Sequence, residues 1–269
     1  MRTFSALFST SKLKFSTNSI KSVNKNTVIS TPSSKTHINF IEWLVGLVEG
    51  YGTFTIVASS RPSGTYHYCA FILSQSAYNI KLLNYIKDML QCGYICAKDP
   101  NNHNYDYRIV SKDDLRNIVV PLLNTYSMHS IKYWRYSLFI EALSIKDSYS
   151  PRFAELKQRM SNIPLSYKSP FLHKVPSKSW IVGFIEAEGS FHIIETRNQG
   201  TLEHGFNVAQ KYDIQILEYI RNALNISANV HSPKTNKKGS KSILSIRRID
   251  NIKFIIEYFN NTMVGVKYL

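Results

Sequence analysis

Twelve residues, Trp43 to Phe54 (WLVGLVEGYGTF), recur as Trp180 to Phe191 (WIVGFIEAEGSF), 137 residues further along the chain. Ten of the twelve positions are identical or chemically similar. Solenoids repeat at about 20–50 residues and need several copies, so a two-copy repeat at this spacing is not one. It restricts the chain to two similar half-domains in one polypeptide.

Each copy begins as an apolar run (Leu44, Val45, Leu47, Val48; Ile181, Val182, Phe184, Ile185). Small residues stand four apart, Gly46 and Gly50 in the first copy, Gly183 and Ala187 in the second. Four residues is about one helical turn, so each pair lines one face, and small residues on one face let two helices approach closely. Gly52 and Gly189 suit a left-handed helix stop. TFTIV and SFHII then alternate like half-buried strands. Each copy therefore predicts a buried helix that ends abruptly and feeds a strand. When two such helices pack together, their ends lie side by side, and a carboxylate just before each stop would share a metal with its counterpart. The second copy has Glu188 at that position; the first has Tyr51.

The paired segments resemble the two motifs of the LAGLIDADG family, the homing endonucleases and RNA maturases of organelle introns. The resemblance runs from about Asn39 to the end of the sequence. It implies an α+β fold of two pseudo-symmetric αββαββα half-domains, a saddle whose two motif helices form the central interface. Helix-interface positions are Gly46, Gly50, Gly183 and Ala187. The division expected is a basic Ser-rich segment over 1–38, a first half over 39–146, a connector over 147–178 and a second half over 179–269.

The length allows a sizeable core, and 43% of the residues are apolar. There are 33 Lys and Arg against 18 Asp and Glu, a net charge of +15, which favours a polyanionic partner, nucleic acid or an acidic membrane surface. No apolar run reaches about 18 residues, so no spanning helix is expected. Cys92-x3-Cys96 has no second ligand pair at zinc-finger spacing; with Cys69, these read as reduced thiols. Residues 1–38 contain no acid and are rich in Ser and Thr, the composition of an organelle import segment. A disordered basic arm, or the remnant of an upstream reading frame, has the same composition. Mitochondrial localisation is the expectation.

The first half reads as a strand near Thr53–Ser59, a turn at Arg61–Gly64, a strand over Tyr66–Leu73, a helix over Tyr78–Leu90, strands near Tyr94–Lys98 and Tyr105–Val110, and a helix over Lys112–Asn124. FILSQSAYNIKLLNYIK in the first half matches FNVAQKYDIQILEYIR in the second, so the same four-stranded plan is expected twice. After Lys132 the first half continues through YWRYSLFIEALSI, whereas after the corresponding Lys267 only Tyr268 and Leu269 follow. The second half is therefore expected to lack that helix.

The family pattern implies catalysis by the acid before the final motif glycine, with divalent metal held between the helices. Glu188 takes that role here, with Mg²⁺ or Mn²⁺ as the ion. Lys132 and Lys267 match the basic residue that family members hold near the scissile phosphates, and Gln75 and Gln210 match polar residues near the active centre. DNA contacts are expected from Thr53, Thr55, Ser190 and His192 on the sheet face opposite Phe54, Ile56, Phe191 and Ile193. Further contacts are expected from Arg61, Lys234, Lys237, Lys238, Lys241, Arg247 and Arg248. His192 reads as a DNA-face residue rather than a metal ligand or base. The partner implied is double-stranded DNA bound by a monomer. Tyr51 departs from the pattern, because a phenol with a pKa near 10 is neutral at pH 7 and a poor Mg²⁺ ligand. Glu49 lies about 200° round the helix from it and does not simply substitute. Cleavage is thus expected to be reduced or limited to nicking. The alternative is a non-cutting RNA maturase or nucleic-acid-binding protein.

Overall fold

The structure, a computed structural model, describes residues 28–29, 38–99, 103–164, 166–195, 200–232 and 241–267. Lys234, Lys237 and Lys238, like the import-type segment, lie outside the described residues apart from β1 (Val28–Ile29) and Ile38. β1 pairs with β2 (Ile38–Asn39) at the entrance to the first motif helix.

That helix, α1 (Phe40–Tyr51), starts where the Asn39 side chain accepts from the N–H groups of Ile41 and Glu42. Its partner α7 (Lys178–Glu188) starts where Ser177 accepts from the Trp180 N–H. Nine residues of each are buried, the pattern of a helix covered all round. The two pack along their small-residue faces, and the contact is reciprocal. A Cβ at Gly46 would stand 2.1 Å from the Trp180 carbonyl oxygen, and one at Gly183 would stand 1.9 Å from the Trp43 carbonyl oxygen. Trp43 and Gly46 occupy the same motif positions as Trp180 and Gly183, so each helix presents its glycine to the other's tryptophan carbonyl. Further along, Gly50 faces Ala187, whose Cβ would be 2.2 Å from a Cβ at Gly50.

Gly52 and Gly189 do not adopt the left-handed conformation expected of them. Their φ values are −67° and −71°, with ψ near 145°, so the chain passes straight from helix to strand. The requirement is space: a Cβ at Gly52 would lie 2.6 Å from Val48, and one at Gly189 would lie 2.6 Å from Ile185.

β3 (Gly52–Arg61) and β4 (Gly64–Ser76) form a hairpin across the expected turn, with Gly64 at φ +118°. With β5 (Tyr94–Asp99) and β6 (Asn104–Ile109) they make an antiparallel sheet in the order β3-β4-β6-β5. α2 (Ile80–Leu90) ends at Gln91, at φ 54°. The expected helix over 112–124 is three pieces end to end: α3 (Lys112–Asp114), a π-helical turn (Leu115–Val119) and α4 (Val120–Thr125). Pro121 explains the break, since it has no N–H to continue the ladder, and a π turn absorbs the mismatch. α5 (Lys132–Ser144) and α6 (Arg152–Ser161) then cover the inner face of the sheet. Phe54 meets Tyr136 and Phe139 at ring distances of 5.1 and 5.3 Å, and His67 stacks on Phe153 at 5.2 Å.

The second half repeats this with β7 (Gly189–Glu195), β8 (Leu202–Gln210), α8 (Ile214–Ala223), β9 (Ser242–Ile246) and α9 (Ile249–Phe259). Its sheet has three strands, β7-β8-β9, among the described residues. Among the described residues, a single antiparallel bridge from His231 to Ile243, on the β9 edge, stands where the fourth strand is expected. The strand alternation is also less covered than expected. Ile56 is 1% exposed, whereas Ile193, at the same place in β7, is 63% exposed. α5 and α6 close over the first sheet, and no described helix takes their place over the second.

Gly50→Ala alone is expected to destabilise by about 1–3 kcal/mol in urea unfolding, because the new methyl meets Ala187. Adding Ala187→Gly moves the one methyl to the other helix and should restore most of the loss. Additive losses in the double variant would show that the two positions do not share one space.

Candidate active site at the paired helix ends

α1 and α7 end on Tyr51 and Glu188, and the Gly50–Ala187 contact brings these ends together: a Cβ at Gly50 would lie 3.2 Å from Glu188 Cγ. The last carbonyls of a helix carry partial negative charge, and here each set has its own lysine. Lys132 Nζ donates to the carbonyls of Val48 (2.9 Å) and Gly50 (2.8 Å). Lys267 Nζ donates to those of Ile185 (2.9 Å), Glu186 (2.8 Å) and Ala187 (3.0 Å). Burial lowers both ammonium groups to about 8; Glu49 and Glu188 act against this at Lys132, and Glu186 and Glu188 at Lys267. Both remain charged at pH 7.

The segments that carry these lysines are anchored by the other acid of each motif. Glu49, 3% exposed, accepts from the His129 N–H (2.8 Å), the Ser130 N–H and the Trp180 indole N–H (2.9 Å). Glu186, 1% exposed, accepts from the N–H groups of Val264 (2.9 Å) and Gly265 (3.2 Å). Burial raises Glu49 to about 7, outweighing the donors that favour its carboxylate, and burial raises Glu186 as well. The signal for both was in the repeat, an acid at the same place in two apolar runs. Their orientation away from the helix junction was not legible from spacing alone.

Two more buried residues went unnoticed in the sequence. Asn79 (4% exposed) accepts from the Val266 N–H at 3.0 Å, and Asp213 (5% exposed) accepts from the Ile131 N–H at 2.9 Å. Each crosses to the opposite half and holds the residue just before that half's lysine. Both stand at helix N-cap positions, of α2 and α8, yet neither makes a side-chain cap bond, an interaction typically worth about 0.5–2 kcal/mol. Burial raises Asp213 to about 6, and the Ile131 N–H works against that rise.

At the junction, Glu188 is half-buried. Burial raises its pKa, against the charges of Lys132, Lys267 and Lys241. Tyr51 is half-buried too, its phenol pushed above 10 by burial and by Glu188 and Glu186, against the nearby Gln75 amide, which lowers it. It stays neutral. The Gln75 side-chain carbonyl in turn accepts from Asn79 Nδ2 at 2.8 Å. Gln210, the counterpart of Gln75, instead accepts from the Lys211 N–H at 3.3 Å. Among the described residues no three of His, Cys, Asp and Glu come together as a metal group. The donor set is one carboxylate. It fits one hard cation completed by phosphate oxygens and water, and it does not fit a pair of bridging acids.

The remaining expected contact residues among those described lie on the sheets or flank β9. Thr53 and Ser190 are exposed, and Thr55 and His192 partly so. The His192 ring lies across the neighbouring strand, where a Cβ at Gly205 would meet its Nε2 at 2.2 Å. The Arg61 guanidinium covers the Tyr66 ring at 3.8 Å. Arg247 approaches Glu203 at 3.8 Å, and Lys241 and Arg248 are exposed. No described helix is long and apolar enough to cross a membrane.

Two half-domains joined through paired helix ends are the architecture of the LAGLIDADG meganucleases. The chain is similar to I-SmaMI bound to uncleavable DNA with a TTCT central four, with a TM-score of 0.68 and 20% identity over 85% of this chain and 86% of that one. It is similar to I-GzeII in complex with its DNA target, with a TM-score of 0.69 and 21% identity over 85% of this chain and 86% of that one. The family profile described as LAGLIDADG endonuclease matches residues 44–143 and 181–269, and the chain belongs to that family. Among relatives, a probable intron-encoded endonuclease, Cox1-I1b, of Schizosaccharomyces pombe is 32% identical over 248 residues, 88% of this chain. Probable intron-encoded endonuclease 3 of Neurospora crassa is 26% identical over 88% of this chain. The chain spans 63% and 49% of the lengths of these two relatives.

Glu49→Ala leaves the His129 and Ser130 N–H groups and the Trp180 indole without their acceptor and is expected to destabilise by roughly 3 kcal/mol or more. The folded-state pKa of Glu49 is raised, so its titration favours folding fully below about 4.5 and loses that effect as pH rises through about 7. The deficit of the variant should therefore shrink between those pH values. A deficit that grows over that interval in thermal unfolding would contradict the assignment.

Proposed function

We propose that this chain binds double-stranded DNA over a long site and hydrolyses one strand, as a nicking relative of the two-acid homing endonucleases. The observation that carries the reading is the unequal pair at the helix ends, a carboxylate at Glu188 facing a neutral phenol at Tyr51. A divalent cation held by Glu188, Mg²⁺ or Mn²⁺, supplies when bound an activated water and charge for the leaving oxygen. The chain's own residues do the rest. Lys132 and Lys267, charged at pH 7, flank Glu188 and offset phosphate charge. Gln75 and Gln210 line the approach. Thr53, Thr55, Ser190 and His192 meet the major groove, where each base pair presents its own donor and acceptor pattern. Arg61, Lys241, Arg247 and Arg248, with Lys234, Lys237 and Lys238, supply phosphate contacts. The two halves complete the two-fold arrangement within one chain, which supports a monomer. Similarity to a yeast mitochondrial protein, RF1, 27% identical over 195 residues, supports a mitochondrial location.

A second reading, a maturase or other non-cutting binder of intron RNA or DNA, is favoured by the same Tyr51. It needs the basic surface and the fold but not the acid pair.

The test uses supercoiled plasmid carrying a site selected from a randomised library, with Mg²⁺. The native chain should yield open circles without linear product, and Glu188→Gln should slow nicking by at least about a hundredfold while binding persists. Binding should weaken linearly on a log–log plot against salt. Linear product from the native chain, or nicking that survives Glu188→Gln, would overturn the nicking assignment. Binding without any nicking moves the function to the second reading.

A further inference from the structure

A chain of hydrogen bonds begins at Gln75, beside Tyr51, and ends in the other half. The Gln75 carbonyl accepts from Asn79 Nδ2, and Asn79 Oδ1 accepts from the Val266 N–H. Val266 is the residue before Lys267. On the other side of the two-fold, Asp213 accepts from the Ile131 N–H, and Ile131 is the residue before Lys132. Both acceptors forgo the helix caps their positions offer. Gly265 makes room for the arrangement: a Cβ there would stand 2.6 Å from both Asn79 Oδ1 and Glu186 Oε1.

We propose that Asn79 and Asp213 are crossed positioning residues, each setting the lysine that caps the opposite half's motif helix. Asn79 does so as the last link of a strut from Gln75. The half that has Tyr51 where the other has Glu188 thereby stays part of the site, because it holds the lysine on the same helix end as Glu188. This rests on the nuclease reading only for its effect on catalysis; the positioning itself is independent of any activity.

The test is a ¹³Cε NMR titration of the lysines in the full chain. The groups facing Lys267 are Glu186 and Glu188; those facing Lys132 are Glu49, Glu188 and Arg135. All of these stay unchanged in the variants. Asn79→Leu, which keeps bulk and loses the acceptor, should move the Lys267 titration upward by a unit or more and leave Lys132 in place. Asp213→Leu should move Lys132 and leave Lys267. Asp213→Asn keeps the acceptor without the charge and should leave both in place. Should a Leu variant fail to fold, Asn79→Ser and Asp213→Ser, which shorten the acceptor, should give the same crossed pattern. Lysines that move together, or do not move at all, overturn the proposal. Where the native chain nicks DNA, Asn79→Leu should lower kcat at unchanged KM, with Asn79→Asp restoring it to within about threefold. An inactive native chain removes this last readout and leaves the titration to decide.

Discussion

The contact between α1 and α7 is the interaction on which the rest depends. Two helices reach this closeness only where side chains are absent, and the repeat provides that twice, at Gly46 and Gly183. Each places a backbone carbonyl of one helix against a glycine of the other, a geometry in which a Cα–H donates weakly to oxygen. Because the contact is reciprocal, it fixes depth and rotation together, and so brings the two helix ends level. Everything at the junction, including the reach of both lysines, follows from that alignment.

Helix ends that meet in a buried place pose an electrostatic problem. Two sets of partly negative carbonyls lie next to a carboxylate, in a setting that weakens solvation. The lysines answer it, and burial moves both to about 8. A flexible side chain alone would hold such a position poorly, since lysine loses much rotamer freedom on burial. The chain therefore fixes the backbone beside each lysine, from within its own half through Glu49 or Glu186, and from across the interface through Asp213 or Asn79. Charge, cap and brace form one unit on each side.

Much of this architecture was legible in the sequence. The helices, the turn at Arg61–Gly64 and the small-residue face came from period and residue size, which act locally. Three features needed coordinates. Gly52 and Gly189 were read as left-handed because glycine most often serves that purpose at a helix end, yet here it serves close packing against Val48 and Ile185. Pro121 introduced a π turn into a pattern that period alone reads as one helix. Asn79 and Asp213 have the residue types of ordinary N-caps, and nothing in their neighbours shows that their side chains turn to the opposite half. Local pattern reports local structure; contacts that span 82 and 187 residues leave no period. Tyr51 and Glu188 were legible as positions, while the strut from Gln75 through Asn79 to Val266 was not.

Gly50 and Ala187 face each other across the pseudo-two-fold, and the space between them holds a single methyl. Two identical subunits related by a true axis would have to place the same residue on both sides, glycine twice or alanine twice. A fused duplicate has no such obligation. Once both copies lie in one polypeptide, symmetry becomes a starting point that each axial pair is free to leave. The unlike pair one step further on, Tyr51 opposite Glu188, uses the same freedom, and it gives the junction a distinguishable left and right.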